Sequence, residues 1–194
     1  MKTLTTLLFI TLITAVSWHA NAEDGAYENL VDGVGNITLP DDYRASWAFL
    51  GTYFVKNAPK EEDEQKAQPS FDIHSVYTQA ESIAHYRKEG EFPDGAVLIK
   101  DVNATKQEKL TTGEVYYADT PKIVFAMVKD RKNRFPDNEA WAEGWGWALF
   151  KAGNPVSQTT TWKGEGFNNC FACHVPAKDQ DWVFTQGYKS VLNK

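Results

Sequence analysis

The chain has 194 residues, 42% hydrophobic and 24% charged, a balance that suits a globular fold and excludes disorder throughout. A net charge of −6 and a pI near 5.2 argue against nucleic acid or an anionic membrane as the main partner. Two cysteines are too few for a disulfide scaffold, and seven tryptophans leave many flat rings to place.

Lys2, the apolar stretch Leu7–Val16 and the small-x-small run Ala20-Asn21-Ala22 read as a signal peptide, Met1–Ala22, cleaved after Ala22. The stretch is too short to span a bilayer, so the expected product is exported, with no membrane span after cleavage. Lys2 is the only charged residue of the leader, which leaves 19 positive and 26 negative groups, or −7. Residues 23–194 are expected to form a single domain, with 23–37 as an acidic N-terminal arm. Asp41–Arg44 follows Pro40 and starts a short helix that ends before Gly51; Thr52–Val55 is a strand. Ala58–Ser70, with two prolines and the charge cluster Lys60–Lys66, is a solvated loop. Asp72–Tyr77 alternates like a strand, and Thr78-x-x-Glu81 reads as a capping box for a helix stopped by Gly90. After the turn Phe92–Gly95 comes an apolar strand, Ala96–Val102, that carries Lys100. Val115–Ala118, Lys122–Lys129 and Trp145–Phe150 complete the strands, and the aromatic block Trp141–Trp147 reads as core. Connections this short favour an antiparallel sheet: an α+β, β-sheet-rich single domain with a few helices.

The motif that carries chemistry stands near the C-terminus, Cys170-Phe171-Ala172-Cys173-His174. Cys-x-x-Cys-His is the attachment signature for c-type haem. One helical turn sets both sulfurs along one porphyrin edge while His174 points at the iron as an axial ligand. A thioredoxin-like pair would want a preceding βαβ unit. A zinc site would want a second ligand pair, and the mature chain adds only His74 and His85. The expectation is one haem c per chain, held by Cys170 and Cys173, with iron on His174. A sixth ligand would normally be Met or His. Met127 reads as core, His74 as a structural histidine beside Val76 and His85 as an exposed helix residue, so an open face for a small ligand is favoured. The alternative is a simple electron-transfer cytochrome with Met127 as the sixth ligand.

Leu39-Pro40-x-x-Tyr43-Arg44, Gly51-Thr52, Val76-Tyr77, Tyr86-Arg87-Lys88-x-Gly90-x-Phe92-x-Asp94-Gly95, Val128-Lys129-Asp130 and the terminal motif occur in this order. The set resembles the cytochrome P-460 family, which includes the cytochromes c′-beta, from about Ile37 to Tyr188. The resemblance implies a β-rich fold, often a homodimer, and periplasmic handling of small nitrogen compounds. Members with the P-460 chromophore oxidise hydroxylamine, which would need a redox partner protein; c′-beta members bind nitric oxide or similar gases. In the oxidising members a lysine is bonded to the porphyrin, and the matching position is Lys100. Those members also carry a distal carboxylate shortly before Val-Lys-Asp, where this chain has Phe125. Phe cannot accept a proton, so this departure favours gas binding over efficient oxidation.

Overall fold

A computed structural model describes residues 27–57, 70–154 and 165–193, with the side chains of 165–169 left out. The leader Met1–Ala22 and the charged loop, 58–69, lie outside the described residues. A short helix α1 (Tyr43–Ser46) leads into β1 (Ala48–Lys56) and β2 (Phe71–Thr78). Helix α2 (Ala80–Glu89) connects β2 to the long hairpin of β3 (Val97–Leu110) and β4 (Gly113–Lys129), followed by β5 (Trp141–Ala142) and β6 (Trp145–Lys151). The strands form one sheet in the order β1-β2-β3-β4-β6-β5 with every neighbour antiparallel, as the α+β reading requires. Helix α3 (Glu165–His174) carries the cysteine motif, and 3-10 turns lead to α4 (Lys189–Leu192).

Two local expectations need correction. Val115–Ala118 and Lys122–Lys129 are one continuous strand, β4. Pro121 breaks the sequence pattern, but it sits where the β3–β4 ladder shifts register around Asn103, so its missing N–H costs no regular ladder bond. Thr78 is not a helix cap. It closes β2, opposite Leu98, and its buried hydroxyl donates to the Val97 carbonyl at 2.8 Å. Gln79 takes the N-cap position, its side-chain oxygen accepting from Ser82 Oγ at 3.2 Å and from the Val97 amide at 3.0 Å. Gly90 does end α2, in the left-handed conformation at φ 82° that a glycine adopts freely.

Side chains alternate across a strand, so the register divides the sheet into two faces. Val97, Ile99, Asp101, Val124, Val128 and Phe150 share one of them. The N-terminal segment lies against it. Tyr43 packs edge-on against Tyr77, and its hydroxyl donates to Asp101 at 2.5 Å, beside Arg44 Nε at 2.6 Å. Asp101 is thus buried with its charge matched. Leu30 and Ile37 are buried in the same core. Removal of Val97, Ile99, Val128 and Phe150 from water contributes about 1.5–3 kcal/mol each.

The other face carries His74, Val76, Leu98, Lys100, Phe125, Met127, Lys129 and Trp147. The chain after α3 folds back over it, with Trp182, Val183, Tyr188 and Leu192 buried. Arg87 of α2 donates to the Val191 carbonyl at 2.8 Å and ties down α4. Gly51 lets this cover approach β1, since a Cβ there would lie 2.5 Å from the Tyr188 ring and 2.6 Å from the Gly187 carbonyl.

Candidate functional site

The last turn of α3 holds Cys170, half-buried, and Cys173, exposed, both as free thiols. Burial pushes the Cys170 thiol up to about 12, against the pull of Lys100. A redox cysteine pair wants the opposite shift.

His174 ends the helix, its ring edge-on to Trp147 at 4.8 Å between centroids and tilted against Phe184 at 5.6 Å. Its Nδ1 lies 2.7 Å from the Trp182 carbonyl oxygen. A carbonyl only accepts, so Nδ1 carries the proton and Nε2 presents its lone pair. Burial lowers the His174 pKa and outweighs the Trp182 hydrogen bond, with Lys100 adding to the lowering; the neutral ring that a metal needs is favoured.

The Trp182 carbonyl reaches His174 through a backbone kink. Asp181 and Trp182 are consecutive left-handed residues, at φ 57° and 64°. Such conformations cost on the order of 1–3 kcal/mol each outside glycine and persist where their surroundings force them. Here Lys129 forms an ion pair with the Asp181 carboxylate, both side chains nearly buried. The Phe92 amide donates to the same carboxylate at 3.1 Å, and Trp145 Nε1 donates to the Asp181 carbonyl at 3.1 Å. The Trp182 ring stacks on Phe171 at 4.6 Å.

Between the sheet and this segment lies a cavity of about 470 Å³, within the range of small-molecule sites. Its walls bring together Cys170, Cys173, His174, Lys100, Phe125 and Met127. Lys100 sits on a central strand between Val76 and Phe125, neither of which can accept a hydrogen bond. Its Nζ lies 4.5 Å from the centre of the Phe125 ring, and among the described residues it has no ion pair. Burial lowers its pKa, while the two cysteines work the other way.

His74 also lines the cavity, where burial and then the Lys100 charge lower its pKa against Asp72. A wall position is compatible with a structural histidine, and it follows from the face that His74 shares with Val76. Met127 is a wall as well, paired across the strands with Trp147. The aromatic block is core as expected, with Trp141, Trp145 and Trp147 all buried, and Trp147 also lines the cavity. His85 on α2 is half-buried and is not among the walls. The Trp182 carbonyl and Phe184 were not singled out from the sequence.

The donor set fits a haem: two cysteines on one turn of helix, a neutral imidazole with Nε2 available, and a largely apolar cavity beside them. Among the described residues no three His, Cys, Asp or Glu side chains converge as a separate metal site. A sequence model of the family described as cytochrome P460 matches residues 40–185, well over half of the chain. The chain belongs to the cytochrome P460 family. The matched span takes in the whole sheet, the cysteine motif and the Trp182 kink, and family membership implies haem binding. A search of curated proteins finds no match. Among the described residues no helix is long and apolar enough to cross a membrane.

Proposed function

We propose that the chain is an exported, periplasmic protein with one haem c, which binds small nitrogen compounds such as nitric oxide and oxidises hydroxylamine weakly. The observation that carries this reading is the convergence of Cys170, Cys173, His174 and Lys100, which has no ion pair among the described residues, on one apolar cavity. Cys170 and Cys173 would hold the haem through thioethers, and His174 Nε2 would bind its iron. The haem supplies a redox-active iron with a coordination position for the ligand. Lys100 would face the haem and is the candidate for a further covalent link, because a desolvated amine is the better nucleophile. Phe125 would wall the ligand side: its ring narrows the space and cannot accept a proton.

Proton removal is where the two activities part. Nitric oxide binds without losing a proton, but hydroxylamine must shed protons as electrons leave, and a positioned base contributes about 10²–10⁴-fold. With Phe125 at that position no carboxylate stands there to take the proton, so binding is the main activity. Oxidation would also need a redox partner protein, since one haem stores few electrons. A homodimer belongs to this reading, and the ring cluster of Phe54, Phe71 and Tyr116 at the outer end of the sheet is apolar surface that a dimer would cover.

The alternative, an electron-transfer cytochrome with Met127 as sixth ligand, has Met127's place on the cavity wall in its favour. Against it, Met127 pairs with Trp147, whose ring packs on His174, so Met127 would stand on the same side of the iron as His174. Optical titration of the purified holoprotein with nitric oxide, followed by a hydroxylamine turnover assay, tests the proposal. Saturable nitric oxide binding to a high-spin protein with feeble turnover is expected. A low-spin His/Met spectrum, or brisk hydroxylamine oxidation, would overturn it.

A further inference from the structure

We infer that Lys129 and Asp181 are positioning residues for His174, acting through the Trp182 carbonyl. The inference rests on the reading of His174 as the iron ligand. Lys129 and Asp181 are not cavity walls, yet they fix the backbone that touches the ligand. Asp181 immediately precedes the residue whose carbonyl takes the His174 Nδ1 proton, and the two share the left-handed kink. Left-handed backbone at a tryptophan is a genuine outlier, so something must hold it.

The holding groups come from three separate places: Lys129 at the end of β4, Trp145 at the start of β6, and the Phe92 amide in the turn before β3. That turn is itself locked to β4. The Gly95 amide donates to the Lys129 carbonyl at 2.9 Å, and the Lys129 amide donates to the Ala96 carbonyl at 2.8 Å. Lys129 Nζ also lies 4.6 Å from the centre of the Trp145 ring, which leaves the ammonium little freedom. The short motifs Phe92-x-Asp94-Gly95 and Val128-Lys129-Asp130 thereby acquire a role that no contact with the cavity explains. They aim one carbonyl at one imidazole.

The consequence is electronic. A firm hydrogen bond from Nδ1–H makes the imidazole a stronger donor and favours ferric iron, and loss of such outer contacts typically shifts metal binding 10–100-fold. The test is the double variant Lys129→Met/Asp181→Asn, prepared as holoprotein. It removes the pair without leaving a buried charge unmatched, and the two through-space charge effects on the iron oppose each other. The expected result is a rise in reduction potential equal to about a tenfold change in the ferric-to-ferrous equilibrium, about 59 mV for one electron. The ferrous iron–histidine stretching band should move to lower frequency with it.

If the double variant does not accumulate, Asp181→Asn alone is read by the stretching band, which the lost charge by itself does not move; the same downward shift is expected. A lowered melting temperature with potential and band at their wild-type values would overturn the inference and leave the pair a structural one. Wild-type protein that loses its haem on denaturation, or whose band persists in His174→Ala, would instead overturn the functional reading and the inference with it.

Discussion

Lys100 and Lys129 stand on the same face of the same sheet, each with its amine over an aromatic ring, 4.5 Å from Phe125 and 4.6 Å from Trp145. Lys129 has Asp181 as a counter-ion; Lys100, among the described residues, has none. The difference that matters is the counter-ion. A paired, enclosed lysine acts as a fastener. An unpaired one in an apolar wall is pushed toward the neutral amine, the form with a lone pair to offer. On the proposed reading, the Lys129 region holds a segment still and the Lys100 region presents a reactive group.

The largest test of this contrast gives the Lys100 end a carboxylate. Phe125→Glu places an acid directly across the strands from Lys100. Where Lys100 is linked to the haem, and so unable to pair with the new acid, hydroxylamine oxidation should rise by about 10²–10⁴-fold in a turnover assay. Desolvation raises the pKa of that Glu, so the gain should grow with pH. An unchanged rate would mean that Phe125 does not wall the ligand side.

Next comes Lys129→Met, which strands Asp181 beside Trp145 with no counter-ion. Urea unfolding should show a loss of about 3–5 kcal/mol. The equivalent Lys100→Met removes an uncompensated amine and should cost less than about 1.5 kcal/mol, or stabilise. Equal losses at the two sites would erase the distinction between them.

The same contrast has a pH signature. Lys100's folded pKa lies below its unfolded value, so in the window between them the unfolded chain binds the extra proton. Stability contributed by this group therefore rises with pH across that window, and the penalty is fully present below the folded pKa. In protein whose Lys100 is unlinked, unfolding midpoints measured from neutral pH to about pH 10 should show this rise, and Lys100→Met should flatten it.

The smallest effect expected is that of Met127→Leu. It should cost at most about 1.5 kcal/mol and leave the visible spectrum unchanged. A change from low-spin to high-spin bands would make Met127 the sixth ligand.

What the sequence disclosed follows from what is local. Cys170, Cys173 and His174 stand out as candidates because their spacing falls within about one helical turn, and Lys100 because a charge on an apolar strand is unusual; the structure brings all four to one cavity. Strand alternation puts Phe125, two residues before Met127, on the same face, as the structure has it. The length of β4 was hidden by Pro121, whose effect depends on a ladder irregularity in the partner strand. The false capping box at Thr78 arose because a hydroxyl can satisfy a strand carbonyl as well as a helix amide, and only the pairing of β2 with β3 decides. His74 as a wall depends on contacts between distant segments, and the Trp182 carbonyl as the partner of His174 depends on a backbone kink eight residues on, where a carbonyl leaves no mark in the side-chain pattern.

The central claim is that Cys170, Cys173 and His174 build a covalent haem site in this cavity. Intact mass under denaturing conditions, on protein matured in a host that attaches c-type haem, tests it most directly. The expected mass is the mature chain plus one haem, a gain abolished in Cys170→Ala/Cys173→Ala on a Lys100→Met background. A chain that sheds all its haem on denaturation, or a variant that keeps it with all three positions replaced, would contradict the claim.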